Sequence, residues 1–184
     1  MKKFLILLLI LLTTPLIAGL YGIIHDQFTY TISHEYFTKF KFYQFGLVDT
    51  DKEAILPNPR IAVAAVGFMA TWWTGIIIGI GHGLTGLIQR NASAMLNVVV
   101  KATLITLIIT ALSGLIGLCY GKFYLAYTDV NWWFPDNLID KKAFIAVGSM
   151  HNFSYLGGLV GLIAGMGYQI FKARHDRKIL YRNH

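Results

Sequence analysis

The chain has 184 residues, of which 55% are hydrophobic and only 14% are charged, and its mean hydropathy is +0.56. Because a soluble domain usually carries about 25% charged residues, this composition excludes an ordinary soluble domain and favours a membrane protein. The single cysteine, Cys119, excludes an internal disulfide. The net charge of +7 is not accompanied by any nucleic-acid-binding motif, so we predict no nucleic-acid partner.

Four apolar runs are long enough to cross about 30 Å of hydrocarbon at roughly 1.5 Å per residue. We therefore predict an all-α membrane protein, a four-transmembrane-helix bundle that forms one integral membrane domain over residues 1–184. The first run is also compatible with a signal peptide, but the residues around Ala18 (LIAGLYG) fit a small-residue cleavage site poorly, and an uncleaved span is favoured. The spans cover about 4–24, 61–87, 94–120 and 143–171.

The basic residues indicate how the chain is threaded, since lysine and arginine beside a span mark the cytoplasmic side. The tail 172–184 carries one acid, Asp176, and is otherwise rich in basic residues. We predict a bacterial inner-membrane protein with both termini in the cytoplasm and with residues 25–60 and 121–142 outside. The basic residues of the tail are Lys172, Arg174, Arg177, Lys178 and Arg182.

The first outer segment alternates aromatic or β-branched residues with polar ones, from Phe28 to Ile32 and again in FKFYQF, residues 40–45. Such alternation is typical of short extended segments with one apolar face. We expect a small extracytoplasmic cap between the first and second spans, either with a short β-hairpin or with its aromatic rings at the level of the lipid headgroups.

Glycines recur at four-residue spacing in the second and fourth spans, and small residues at this spacing let another helix backbone approach closely. At least one pair of helices is therefore expected to pack in tight contact. The glycines are Gly75, Gly79 and Gly83 in the second span and Gly157, Gly161 and Gly165 in the fourth.

Polar and ionisable residues near the outer ends of the spans are the candidate site, because such groups are costly in a membrane and are often functional. The motif GSMHNFSY places His151 inside an apolar helix, and His25 with Asp26 is predicted to close the outer end of the first span. The candidate ligand-binding residues are His25, Asp26, Gln27, His34, Glu35, Tyr36, Trp72, Trp73, His151, Asn152 and Tyr155.

The simplest role for these polar groups is structural, namely hydrogen bonding between helices. Beyond that role, three functions remain open. Because no catalytic spacing is recognisable, we favour a non-enzymatic membrane protein whose outer polar and aromatic site binds a small ligand or a partner, either another membrane protein or a second copy. The first alternative is a metal- or haem-dependent enzyme, or a metal-handling protein, that uses His25, Glu35 and His151, although no HExxH or paired-cysteine motif occurs. The second alternative is a transporter or channel subunit.

Residues 24–73 carry three short motifs: IHDQ at 24–27, EYFT at 35–38 and ATWW at 70–73. In this order they resemble an uncharacterised group of small bacterial multi-span membrane proteins. The resemblance implies that the residues of the first two motifs belong to one recurring feature, and it brings no known activity. These residues are His25, Asp26, Gln27, Glu35, Tyr36 and Phe37.

Overall fold

The computed structural model describes residues 2–48 and 53–182. Four long helices dominate it, and each is long and apolar enough to cross a membrane. No strand occurs within these two ranges, so the prediction of an all-α, four-helix bundle is confirmed. The helices are α1 (Lys2–Ile32), α2 (Pro59–Gly86), α3 (Ala92–Phe123) and α4 (Lys141–Arg182).

Local signals in the sequence account for where the later helices begin. Pro59 opens α2, where its missing N–H costs nothing. The Asn91 side chain accepts a hydrogen bond from the Ala94 amide at 2.9 Å and caps α3, and Asp140 does the same for the Ala143 amide at 2.9 Å ahead of α4. The turn 87–91 is short, so α2 and α3 run antiparallel.

Helices α1 and α2 form a tight pair. A Cβ atom on Gly22 would overlap the carbonyl oxygen of Gly67, and one on Gly75 would lie 2.5 Å from the carbonyl oxygen of Thr14. Only glycine permits backbones to approach this closely. The close contact predicted from the glycines of the second span is confirmed.

Helices α3 and α4 form the second tight pair. A Cβ atom on Gly161 would lie 2.8 Å from Cα of Thr106, and one on Gly165 would lie 2.9 Å from the carbonyl oxygen of Ala102. The two pairs touch each other over a much smaller surface than the helices within each pair. This leaves space between the pairs, and the candidate site lies there.

Within residues 33–48 the cap between α1 and α2 is mainly helical, and the predicted β-hairpin was wrong. Helix α1 continues past the predicted end of the span at residue 24 as far as Ile32, and the hydroxyl of Ser33 then accepts the Tyr36 amide at 3.3 Å. Three short helical segments follow: His34–Tyr36, the π-helix Phe37–Lys41 and Phe42–Gln44.

The π-helix explains why the alternating pattern was misleading. In a π-helix the amide of one residue bonds the carbonyl five residues earlier, and here the Phe42 amide bonds the Phe37 carbonyl. Both phenylalanine side chains therefore point to the same side and are fully buried against Val63, Val66 and Val147. Burial of these two large rings therefore determines the conformation of this segment. The alternating pattern had instead suggested that every second residue is buried.

Glu35 ties this cap to the segment that precedes α4. Its carboxylate accepts hydrogen bonds from the amides of Ile139 at 2.9 Å and Asp140 at 2.7 Å, and from the Lys39 ammonium at 2.5 Å. Burial by itself raises the pKa of Glu35, but these three donors outweigh it and hold the pKa below its ordinary value. The end of the bundle formed by residues 33–48, 53–58 and 124–140 is called the capped end below.

Candidate functional site

The candidate site is centred on Asp26, which is 3% exposed and lies inside α1. His25 and Asp26 belong to a buried stripe at helical spacing that begins at Ile10 and includes Ala18, Gly22 and Thr29. The stripe faces the interior of the bundle, so the carboxylate of Asp26 points toward α4. There it meets His151, which is also buried.

One carboxylate oxygen of Asp26 joins two imidazoles from different helices. Its Oδ1 lies 3.1 Å from Nδ1 of His25 and 3.1 Å from Nε2 of His151. The remaining ring nitrogens also have partners, since His25 Nε2 lies 3.1 Å from Oγ of Ser154 and His151 Nδ1 lies 2.9 Å from the carbonyl oxygen of Val147. Every imidazole nitrogen in the group is engaged.

These contacts fix the number of protons shared by Asp26 and His151. The Val147 carbonyl only accepts, so Nδ1 of His151 carries a hydrogen. The contact between His151 Nε2 and Asp26 Oδ1 then also needs one proton, which sits either on the imidazole or on the carboxyl group. In both arrangements the pair of side chains has no net charge, which suits a buried position in a membrane.

Aromatic rings and one amine from the capped end close over the group. The Tyr36 ring stacks on His151 with centroids 5.0 Å apart, and His25 meets His151 edge to face at 4.6 Å. Lys41 is buried, and its ammonium nitrogen lies 5.8 Å from the centre of the Tyr36 ring. Burial lowers the pKa of the Lys41 amine, while the charge of Asp26 opposes that shift.

A cavity of about 270 Å³ lies beneath this group, between the two helix pairs. His25, Asp26, His151 and Ser154 form its polar end, and the rest of the lining is mostly apolar with several threonines. All four helices contribute to the lining. Beyond the polar group, the lining includes Tyr21, Trp73, Ile77, Thr106, Tyr155 and Leu159.

The cavity opens at the side of the bundle, between α2 and α4. Four of its lining residues are substantially exposed there: Trp73 at 46%, Ile77 at 53%, Tyr155 at 41% and Leu159 at 58%. The Trp73 and Tyr155 rings stack at 6.5 Å, and the Tyr155 hydroxyl donates to the Ala70 carbonyl at 3.2 Å. In a membrane this surface faces the lipid chains, so the cavity opens sideways into the bilayer.

The second carboxylate oxygen of Asp26 stands out in this group. Oδ2 is buried and has no hydrogen-bond partner among the residues that the structure describes. A buried carboxylate oxygen without a donor carries a desolvation cost of about 1–3 kcal/mol or more. A group that supplies a donor or a positive charge to Oδ2 would remove that cost.

The connectivity from Ser154 through His25 to Asp26 is also that of a Ser-His-Asp triad. Acyl transfer additionally requires free N–H donors for the oxyanion. Ser154 lies within the continuous helix α4, where the neighbouring amides are used in the helix itself. Asp26 is moreover shared with a second imidazole, so the geometry favours a binding role over a nucleophilic one.

Six of the residues predicted from the sequence come together around this cavity and its polar end. Tyr36 covers the group, and the other five line the cavity. They are His25, Asp26, Tyr36, Trp73, His151 and Tyr155.

The remaining predicted residues lie elsewhere. Gln27 binds the Arg60 carbonyl at 2.7 Å and joins α1 to α2, and Glu35 is engaged by the backbone at Ile139 and Asp140. His34 is exposed and packs against Tyr30. Trp72 is half-exposed outside the cavity, and Asn152 lines a separate surface pocket with Trp132 and Trp133.

The candidate residues predicted from the sequence did not include Tyr21, Lys41 or Ser154. The signal for Ser154 was its position three residues after His151, which places both side chains on one face of α4. The signal for Tyr21 was its position four residues before His25, on the same face of α1. No sequence signal marked Lys41, because its burial depends on the π-helix.

A second buried polar group lies toward the other end of the bundle. His82 is fully buried, with Nε2 2.9 Å from the Thr106 hydroxyl and Nδ1 3.0 Å from the Gln169 amide. Gln89 in turn donates to the Gln169 carbonyl at 2.9 Å. These bonds join α2, α3 and α4, and we interpret the group as interhelical hydrogen bonding.

No family model, no curated protein and no solved structure matches the chain. The site is therefore interpreted from its own geometry. The resemblance of residues 24–73 to small bacterial membrane proteins stays a prediction.

Proposed function

We propose that this chain is a non-enzymatic membrane protein that binds a lipid-soluble small molecule with a hydroxyl-bearing head group. The observation that carries the proposal is the cavity that opens toward the lipid and ends at a buried carboxylate oxygen without a donor. The head group would reach the polar end, and the apolar part would follow the opening between α2 and α4.

The size of the cavity supports a molecule that is only partly enclosed. Pockets for drug-sized ligands measure about 300–1,000 Å³, and this cavity is slightly smaller at about 270 Å³. It holds a ring or a short head group, while a tail would lie along Ile77 and Leu159 at the exposed edge.

The chemistry of the polar end supports a hydrogen-bond donor on the ligand. Oδ2 of Asp26 only accepts when the carboxylate is ionised, and the nitrogens of His25 and His151 already have partners. An alcohol or phenol would donate to Oδ2, whereas an ether of the same shape would leave it unsatisfied. Hydrogen bonds to charged groups contribute about 1.5–3 kcal/mol, a preference of roughly tenfold or more for the hydroxyl.

A pair of brominated probes tests this proposal with purified protein in detergent. A bromine-substituted alkylphenol and its methyl ether differ only in the hydroxyl, and bromine quenches tryptophan fluorescence on contact. We expect the phenol to quench at a concentration about tenfold lower than the ether, and Asp26→Leu to abolish that difference.

The neighbouring tryptophans supply the matched control. Trp73 lines the cavity and Trp72 does not, so Trp73→Phe should remove the saturable quenching while Trp72→Phe retains it. Equal quenching by phenol and ether in the unmodified protein, or retention of the quenching in Trp73→Phe, would contradict the proposal.

For localisation we propose the bacterial inner membrane with both termini in the cytoplasm. The support is the density of lysine and arginine beside the end of α4. In a Cys119→Ser background, a membrane-impermeant thiol reagent should label Gln44→Cys in intact cells and spare Lys178→Cys. Both positions are exposed in the bundle, so the opposite labelling pattern would reverse the orientation.

A further inference from the structure

The atoms that converge at the polar end are also a set of metal ligands. Two imidazole nitrogens and a carboxylate oxygen, from His25, His151 and Asp26, all lie within 4.8 Å of one another. Imidazole and carboxylate together suit divalent first-row transition metals such as zinc and ferrous iron. All three side chains are buried, so bulk water does not compete for the ligand positions.

The spacing of the donors fits coordination around one ion. Ligands at about 2.0–2.2 Å from a metal are separated by about 2.8–3.1 Å in an octahedral arrangement and by about 3.3–3.6 Å in a tetrahedral one. The distances from Asp26 Oδ1 to His25 Nδ1 and to His151 Nε2 are both 3.1 Å. Two of the three ligand pairs already have the required separation.

The outer contacts of both imidazoles are those of metal-binding histidines. A histidine ligand usually donates its other N–H to a carbonyl or another polar group, which fixes the tautomer and the ring orientation. His151 donates from Nδ1 to the Val147 carbonyl at 2.9 Å, and His25 contacts Oγ of Ser154 through Nε2 at 3.1 Å. The nitrogens left for a metal are the two that face Asp26.

We propose that His25 Nδ1, Asp26 and His151 Nε2 bind one divalent first-row transition metal at the polar end of the cavity. The ion takes the place of the proton shared by His151 and Asp26, and it also supplies positive charge to the unpartnered Oδ2 of Asp26. Asp26 supplies the carboxylate ligand, whereas the prediction from the sequence assigned that role to Glu35.

Coordination of a haem by both histidines does not fit the same geometry. The His25 and His151 rings meet edge to face with centroids 4.6 Å apart, and this leaves no gap for a porphyrin between them. The three protein ligands are complete without the lipid-soluble ligand, and the ion and a ligand hydroxyl would compete for Oδ2 of Asp26. The open side of the ion would face the cavity.

Cobalt is the probe for this site, because Co²⁺ replaces Zn²⁺ and reports its ligands by visible absorption. The full-length protein, purified without a histidine tag and stripped with a chelator, is titrated with Co²⁺. His175→Ala removes a histidine of the basic tail from competition. We expect one Co²⁺ per chain, displaced by Zn²⁺, with at least a tenfold loss of affinity in His25→Gln and in Asp26→Asn.

Two further variants separate coordination from a structural role. Ser154→Ala keeps the three ligands but removes an outer contact, which typically costs about 10–100-fold in metal affinity. His82→Gln changes a buried histidine outside the group and should bind Co²⁺ as the unmodified protein does. Loss of Co²⁺ binding in His82→Gln to the same extent as in His25→Gln would overturn the proposal.

The metal proposal also fails if the unmodified protein binds no Co²⁺ or if His25→Gln binds it equally well. Covalent labelling of Ser154 by a fluorophosphonate in the chelator-treated protein would instead assign the group to acyl transfer. The quenching experiment above is performed with chelator present, so failure of the metal site and failure of the ligand site are distinguishable.

Discussion

Asp26 is the residue on which the candidate site depends. One of its carboxylate oxygens bonds imidazoles from α1 and α4, and the other has no donor among the described residues. Removing one member of a buried, hydrogen-bonded charged group leaves the others unsatisfied, which is strongly destabilising. The side chain therefore contributes both to the contact between helices and to the chemistry at the end of the cavity.

Glu35 has a structural role at the same scale, and its pKa makes that role dependent on pH. Its pKa in the folded protein lies below the ordinary value of 4.5. A lowered pKa stabilises the folded state above the ordinary value, and the stabilisation is lost as the pH falls through the folded-state value. Glu35→Gln should therefore lower the Tm at pH 7, and the difference from the unmodified protein should shrink as the pH falls below about 4.5.

Thermal unfolding in detergent between pH 7 and pH 3 measures this difference. Glu53→Gln is the matched control, because Glu53 lies in the same cap but its side chain is 48% exposed. Its effect at pH 7 should be smaller. A Tm difference for Glu35→Gln that stays constant over the whole pH range would contradict the role given to Glu35.

At the scale of elements, the tight pairing of α3 with α4 depends on glycines that face another backbone. Gly161→Leu would place a side chain where Cα of Thr106 lies 2.8 Å from the position of its Cβ. Overpacking of this kind costs about 1–3 kcal/mol. The free energy of unfolding should fall by at least that amount, because the backbone of α3 at Thr106 cannot move aside.

Gly167 lies on the same helix and provides the control. A Cβ atom there meets nothing within 4 Å, so Gly167→Leu should change the free energy of unfolding by less than about 0.5 kcal/mol. Both variants are compared by unfolding in a gradient of sodium dodecyl sulfate. Equal effects would show that the face of α4 around Gly161 is not packed against α3.

The elements also differ in how far they could be predicted. The four long helices follow from run length and hydropathy, and the close contacts follow from glycine spacing, because both properties are local. The cap could not be predicted in the same way. Among the described residues of the cap, the two that are fully buried are Phe37 and Phe42. They are five apart, a spacing that indicates neither a strand nor an α-helix.

At the scale of the whole molecule, two tight helix pairs enclose a space that neither pair could form alone. The cavity is lined from all four helices, and its polar end combines side chains that are 125 residues apart in the chain, Asp26 and His151. Weak contact between the pairs leaves the opening toward the lipid. A site of this kind suits a molecule that arrives through the bilayer.

The site itself was only partly predictable from the sequence. Threading of the four spans was enough to suggest that His25 and His151 lie near one another. Whether Asp26 or Glu35 supplies the carboxylate of the site depended on the length of α1. Because this helix continues to Ile32, Asp26 lies within it and faces the interior of the bundle. The contact of Ser154 with His25 depended on how α4 is rotated against α1, which no local pattern specifies.

Asp26 and His151 are bonded across the interface of the two helix pairs. A double-mutant cycle with Asp26→Ala and His151→Ala measures this directly as a coupling in the free energy of unfolding. We predict a coupling of about 0.5–3 kcal/mol for this pair, and additivity within about 0.5 kcal/mol for Asp26→Ala with His82→Ala, which share no hydrogen-bond partner. Additive effects of Asp26→Ala and His151→Ala would contradict the account.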